Sequence, residues 1–300
     1  MSTSPLIPAV RAPARTPAET AGWLALAGSL IAISGSPLFV RLAEVGPIAS
    51  AFWRMAIALP FLLAWTRMGG VGARGGGGAG AWTVPALAGG AFAADLAFFH
   101  LALAETSIAN ASFIGNLATV FAVIGGALLF GERAGARIWA AFGVALAGAW
   151  IMGGAAADLT AFNAGDALSL GAALAYAAYL LAIKRGRRET SSADLMLRSS
   201  LVCAALLLVA ALATGERILP GSASGWLPLV GLGVIAHALG QSLTAVALGR
   251  LPVAPLAIAA MSQPILSAAL AWLAMGERIG TLQVVGAALI LSALAVARGR

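Results

Sequence analysis

Long apolar segments separated by short polar breaks are the feature that most constrains the fold of this chain. A helix that crosses the hydrocarbon core of a bilayer needs about 20 predominantly apolar residues. Ten such segments lie at about 22–40, 47–66, 83–103, 107–130, 137–154, 165–183, 194–214, 226–248, 254–275 and 280–297. No break between them is long enough for a soluble domain. The chain is therefore predicted to be an all-α integral membrane protein with ten transmembrane helices in one membrane domain.

Composition supports lipid as the main solvent and excludes several classes of protein. Of the 300 residues, 61% are hydrophobic and 10% are charged, whereas soluble domains carry about 25% charged residues. The net charge of +7 does not indicate a nucleic-acid partner, because the basic residues form no stripe with interleaved aromatics. The single Cys203 excludes a disulfide framework, and His100 and His237 lack a second ligand at metal-site spacing. We expect no metal and no cofactor.

The distribution of basic residues predicts the orientation in the membrane. Residues 1–21 contain four prolines and two arginines where a secretory signal would have its apolar core, and they predict a short disordered basic arm. With ten helices, 13 of the 18 basic residues fall on the side of the N-terminus and three on the other side, leaving Arg54 and Arg198 inside helices. Basic loops stay in the cytoplasm. We therefore expect a multi-pass protein of a bacterial inner membrane, with both termini cytoplasmic.

An internal repeat divides the chain into two halves. Gly131-Glu132-Arg133 ends the fourth predicted helix, and Gly276-Glu277-Arg278 ends the ninth, 145 residues later. Arg54 and Arg198 occupy matching positions in the two halves, 144 residues apart. The halves span residues 22–154 and 165–298 with five helices each, and because five is odd, the second half enters the membrane from the opposite side. Inverted repeats of this kind are typical of secondary transporters whose substrate site lies near the midplane.

The two five-helix halves, each with Gly-Glu closing its fourth helix, resemble the EamA branch of the drug/metabolite transporter superfamily. The second half resembles it more closely, with Pro264 before the Gly-Glu pair and Gln283 and Gly286 after it; Thr119 takes the place of Pro264 in the first half. Within this branch, the chain looks most like the bacterial YddG-type amino-acid exporters. The resemblance implies a central cavity lined mainly by helices one, three, four, six, eight and nine.

Polar and aromatic residues at membrane depth are the candidates for lining such a cavity. Buried polar groups in a membrane are costly and face protein or a wet cavity. Pro37 and Pro264, which interrupt helices one and nine, are candidate gating or hinge residues. The candidate cavity residues are Asp95, His100, Asn116, Tyr176, Tyr179, His237, Gln241, Met261 and Gln263.

Each of these residue types also has a structural interpretation. The deep polar groups on helices four, eight and nine could instead join neighbouring helices through hydrogen bonds. The tyrosines could anchor helix six at the membrane interface. Arg54 and Arg198 are interpreted as structural: Arg198 would reach the cytoplasmic headgroups, and Arg54 would reach the external headgroups or pair with Glu44.

Three functions are compatible with these features. The favoured prediction is a secondary transporter that exports small metabolites, in particular amino acids including aromatic and neutral ones, by alternating access around a midplane cavity between the repeats. A small multidrug exporter of hydrophobic cations is the alternative, because Asp95 could bind a cation. An integral-membrane enzyme that modifies lipids is a third hypothesis. The acidic residues of the loops are scattered, however, and form no catalytic cluster. The expected partners are a small-molecule substrate and the bilayer, and the sequence is compatible with a monomer.

Overall fold

The computed structural model describes residues 16–69, 82–106, 108–152, 162–276 and 279–298, and these ranges contain helices and no strand. The helices are α1 (Pro17–Ser34), α2 (Ser36–Leu42), α3 (Pro47–Arg67), α4 (Thr83–Glu105), α5 (Ile108–Gly115), α6 (Leu117–Phe130), α7 (Ala136–Met152), α8 (Ala164–Gly186), α9 (Ser192–Ala213), α10 (Trp226–Val230), α11 (Ser242–Leu248), α12 (Val253–Ala260), α13 (Gln263–Met275) and α14 (Thr281–Arg298). A π-helical segment, Gly231–Gln241, joins α10 to α11.

These elements correspond to the ten predicted transmembrane helices, which we name helices one to ten. Four of them consist of consecutive elements: α1–α2 is helix one, α5–α6 helix four, α10–α11 with the π segment helix eight, and α12–α13 helix nine. In the described part of the chain, eight helices are long and apolar enough to cross a membrane, and two shorter apolar helices, five and ten, complete the set. The predicted fold class is confirmed.

The packing of the helices follows the internal repeat. Helix three packs against helices six and seven, and helix eight packs against helices one and two. Helices two and seven, four and nine, and five and ten contact each other, and each of these pairs joins equivalent helices of the two halves. Exchanging the halves therefore leaves this packing pattern unchanged. Because the core contacts cross between the halves, they form one bundle.

The repeated Gly-Glu motif has a local physical cause. Gly131 and Gly276 end α6 and α13 with φ of 69° and 68°, a left-handed conformation that glycine adopts without the steric penalty of a Cβ. Each glycine thereby ends its membrane helix and turns the chain into the following loop. Glu132 lies in the described part of the chain, whereas Glu277 and Arg278 lie outside it.

The start of helix one differs from the sequence prediction. Residues 1–15 of the predicted disordered arm lie outside the described residues, and α1 begins at Pro17. Thr16 and Glu19 form a reciprocal capping box, in which each side chain accepts a hydrogen bond from the other's backbone N–H. Residues 17–21 are therefore helical, because this cap starts the helix before the apolar run begins.

Candidate functional site

A cavity of about 290 Å³ lies in the middle of the bundle. Helices one, three, four, six, eight and nine contribute to its wall, as the resemblance implies, and helix two adds one residue, Arg54. Gly240, in the π segment, helps to shape it: a Cβ there would come within 2.7 Å of the side chain of Ile33, so only glycine lets helix eight approach helix one this closely. The lining residues are Ile33, Arg54, Phe92, Asp95, Leu96, Phe99, Gly115, Asn116, Ala172, Ala173, Tyr176, Gln241 and Gln263.

Arg54 lies in this cavity rather than at the membrane surface, so its interpretation as a surface-reaching residue is wrong. Its side chain is only 8% exposed. Its Nη1 donates a long hydrogen bond of 3.4 Å to Ser36 Oγ, and its guanidinium carbon lies 5.6 Å from the ring centre of Phe92. The suggested partner, Glu44, is used elsewhere: it accepts hydrogen bonds from the backbone N–H groups of Gly221 and Ser222.

A comparison with Arg198 indicates which sequence signal distinguishes the two equivalent arginines. Arg198 pairs with Asp194, one helical turn earlier, at 3.0 Å, and lies over the Trp82 ring. Arg54 has Ser50 at the corresponding position. An arginine two turns inside a membrane helix, without an acidic residue one turn away, is expected to face the bundle interior or a water-filled cavity. This missing neighbour is the signal that sequence reasoning overlooked.

Arg54 and Asp95 place a guanidinium group and a carboxyl group on the wall of one cavity. Within the described residues, no ion pair within 4.0 Å and no hydrogen bond joins the two side chains. Both groups therefore remain available to a solute that carries complementary charges. Among the same residues, no cluster of three metal-ligating side chains occurs.

The wall beside these charges is aromatic. Phe92 stacks on Tyr179, with ring centres 4.4 Å apart and planes inclined by 15°, and Phe92 and Tyr176 are 6.3 Å apart. Tyr179 itself is buried behind the wall, where its hydroxyl lies 3.5 Å from Gln241 Oε1. Phe99 also lines the cavity. The cavity thus combines an apolar aromatic surface with a guanidinium group, a carboxyl group and several amides.

The structure brings five of the nine candidate cavity residues together and leaves four off the wall. Those on the wall are Asp95, Asn116, Tyr176, Gln241 and Gln263. The other four are His100, Tyr179, His237 and Met261.

The four candidates that do not line the cavity contact other parts of the protein. His237 is buried, and its Nε2 lies 2.8 Å from Ser200 Oγ, so the histidine joins helix eight to helix seven. His100 makes an edge contact with Phe99. Met261 is 1% exposed at the end of α12. The hydrogen bond of His237 matches the alternative in which a deep polar group joins two helices.

Helices four and nine are both interrupted at equivalent points. Helix four breaks at Asn116, between α5 and α6, and helix nine breaks at Met261 and Ser262, between α12 and α13. Asn116 and Met261 are 145 residues apart, the offset of the repeat. Pro264 supplies no N–H for the carbonyl of Ala260, which ends α12.

The first half makes the same break without a proline. The carbonyl of Asn116 accepts hydrogen bonds from both the backbone N–H of Thr119, at 3.2 Å, and its hydroxyl, at 2.7 Å, so a tight turn forms at this break. Pro37 is exposed at the start of α2, just after the break of helix one at Gly35. The interruptions therefore occur where helices one, four and nine approach the cavity, and the gating role of the prolines stays a prediction.

Comparisons with known proteins agree with this architecture. No curated protein sequence matches the chain significantly. A solved structure, described only as "Crystal structure of protein", superposes with a TM-score of 0.79 over 95% of this chain and 97% of the other, at 21% identity, and this similarity concerns the fold alone. The model of the EamA-like transporter family matches twice, at residues 20–154 and 163–298. The chain therefore belongs to the EamA-like transporter family, within the drug/metabolite transporter superfamily, and is a membrane transporter of small molecules.

Proposed function

We propose that the chain exports amino acids, with neutral and aromatic ones among its substrates, by alternating access around the central cavity. The observation that carries the proposal is the presence of Arg54 and Asp95 on one cavity wall without an ion pair between them. An amino acid has a carboxylate and an ammonium group on one carbon. Arg54 would bind the carboxylate through its planar set of donors, and Asp95 would bind the ammonium group.

The remaining wall suits the side chain of such a solute. Phe92, Phe99 and Tyr176 offer aromatic surface, while Asn116 and Gln263 offer hydrogen-bonding groups at the helix breaks. A volume of about 290 Å³ lies at the lower end of the range typical of ligand pockets. A small metabolite fits this size better than a large one.

Export of hydrophobic cations is the competing proposal, and Asp95 with its aromatic neighbours supports it. Arg54 weighs against it. A second positive charge in a cavity of low dielectric constant repels a cationic solute, whereas it attracts the carboxylate of a zwitterion. We therefore favour the amino-acid proposal, in a bacterial inner membrane with both termini in the cytoplasm.

The decisive experiment is counterflow in proteoliposomes with the standard amino acids and several lipophilic cationic dyes. We expect neutral amino acids to be exchanged. Arg54→Gln should raise the KM for them by about 10-fold or more, since hydrogen bonds to charged groups contribute about 1.5–3 kcal/mol. The matched control is Arg198→Gln, which removes the equivalent arginine outside the cavity and should leave KM nearly unchanged. Flux of the dyes without flux of any amino acid would overturn the proposal.

A further inference from the structure

A second cavity, of about 300 Å³, lies at the end of the bundle where helix six ends and helix nine begins. It shares no lining residue with the central cavity. Its wall is dominated by basic side chains from the end of helix six and from the loop between helices eight and nine. The lining residues are Glu132, Lys184, Arg187, Arg188, Leu248, Gly249, Arg250, Leu251 and Pro252. We name it the basic end cavity.

The only acidic residue on this wall is already neutralised. Glu132 Oε1 lies 2.7 Å from Lys184 Nζ, and Glu132 Oε2 accepts a hydrogen bond of 2.7 Å from the backbone N–H of Val253. Lys184 also donates to the carbonyl of Leu251 at 2.9 Å. The lysine and the glutamate therefore satisfy each other, and neither supplies net charge to the cavity.

Three arginines keep their charges uncompensated. Among the described residues, no carboxylate lies within 4.0 Å of the guanidinium of Arg187, Arg188 or Arg250. Arg188 instead stacks over the ring of Phe130, 4.9 Å from its centre. The pKa of Arg187 is lowered because burial removes water from its guanidinium and because Arg250 adds repulsion. An anion between Arg187 and Arg250 would relieve this repulsion.

Arg187 is also incompletely hydrogen-bonded. Its Nη1 donates to the carbonyl of Thr190, whereas its Nε is buried and has no partner within the described residues. Buried polar groups in proteins are nearly always satisfied, so an orphan donor indicates a missing ligand or solvent molecule.

The guanidinium of Arg187 packs closely against the backbone at Gly249. A Cβ at Gly249 would come within 3.0 Å of Arg187 Nε and within 3.3 Å of its Nη2. A side chain at this position would therefore require the guanidinium to shift by a few tenths of an ångström. A substitution at Gly249 offers a way to shift this charge without removing it.

We propose that the basic end cavity binds a phosphoryl group. Guanidinium groups bind phosphate oxygens through paired, charge-assisted hydrogen bonds, and three arginines line this cavity. The phosphoryl group can come from the headgroup of an anionic lipid, as at basic pockets between transmembrane helices, or from a free phosphate compound in the aqueous phase. Either ligand would compensate the arginine charges and hold the end of helix six against the start of helix nine.

The test measures thermal stabilisation of the purified full-length protein in neutral detergent. Inorganic phosphate is titrated in one arm, phosphatidylglycerol in the second and phosphatidylcholine in the third, at constant ionic strength. A ligand that binds only the folded state raises the melting temperature in proportion to its affinity. We expect stabilisation by at least one of the two anionic ligands and none by phosphatidylcholine. Stabilisation by phosphatidylglycerol without stabilisation by inorganic phosphate would identify a lipid headgroup as the ligand. Stabilisation by inorganic phosphate would identify a free phosphate compound.

Three variants separate a built site from general attraction between charges. Arg187→Gln with Arg250→Gln should lower the apparent affinity about 10-fold or more, since two charge-assisted contacts are lost. Gly249→Ala keeps every charge yet displaces Arg187, and it should also weaken binding, which covers the case in which the double variant does not fold. The control is Arg133→Gln with Arg137→Gln, two exposed arginines that do not line the cavity. Equal losses in the control, or no stabilisation of the unaltered protein by either anion, would overturn the proposal.

Discussion

The ion pair between Glu132 and Lys184 offers the sharpest quantitative prediction. It connects three elements at one end of the bundle: Glu132 follows α6, Lys184 lies in the last turn of α8, and the two side chains bind the backbone of Leu251 and Val253 around the start of α12. Replacing Lys184 by Met keeps most of the side-chain volume but removes its charge and its hydrogen bond to Leu251. Glu132 then remains with one hydrogen-bond donor.

The geometry gives the expected size of the effect. The side chains of Lys184 and Glu132 are 9% and 24% exposed, and their charged atoms are 2.7 Å apart. Removing one partner of a fully buried pair costs about 3–5 kcal/mol, because the other charge stays buried and uncompensated. Glu132 is partly exposed and keeps its bond from Val253, so we expect Lys184→Met to lower the free energy of unfolding by about 2 kcal/mol. Adding Glu132→Gln removes the stranded charge and should recover about 1 kcal/mol of that loss.

The assay is unfolding of the purified protein in mixed micelles, measured for the two single variants and the double variant. The coupling free energy comes from the double-mutant cycle. Arg185→Gln with Glu189→Gln is the matched control, because that pair is 3.9 Å apart with side chains 66% and 57% exposed, and exposed pairs contribute about 0–1 kcal/mol. A coupling between Lys184 and Glu132 no larger than that of the control pair would refute the reasoning.

Three further predictions concern the cavity, the topology and the packing. Asp95→Asn should weaken amino-acid transport yet leave measurable flux, because the amide carbonyl still accepts a hydrogen bond from an ammonium group; flux is measured in proteoliposomes. Reporter fusions after Gly186 should give a cytoplasmic signal. Gly286→Ala should destabilise the fold by about 1–3 kcal/mol, because its Cβ would meet the backbone of Gly148 at 2.4 Å, whereas Gly143→Ala has open space and should be nearly neutral; thermal unfolding compares the two.

Each of these predictions has an outcome that would contradict it. Complete loss of amino-acid flux in folded Asp95→Asn would assign the carboxylate a different role. A periplasmic signal after Gly186 would contradict the helix count and the inverted repeat together, and a fusion after Glu216 should give the opposite signal. Equal stabilities of Gly286→Ala and Gly143→Ala would mean that helices five and ten can separate without cost.

Much of the fold is determined by features that sequence alone carries. A membrane helix needs a long apolar run, so its presence and approximate ends depend on local composition. The glycines that end α6 and α13 act through their own backbone conformation, and they occur at the repeat offset. For this reason the ten helices and the two halves could be predicted, and polarity at membrane depth is the signal that predicted five of the wall residues.

The interior arrangement depends on contacts between helices that are distant in the sequence. Arg54 and Arg198 occupy equivalent positions, yet one lines the cavity and the other pairs with Asp194 near the end of its helix, because their neighbours differ. His237 is polar and deep like Gln241. However, His237 forms a hydrogen bond with Ser200 on helix seven, whereas Gln241 lines the cavity. Composition determines that a side chain must find a polar partner inside the membrane. Only the packed bundle decides whether that partner is another helix or a solute, because the partner's distance is set by tertiary contacts and not by its place along the chain.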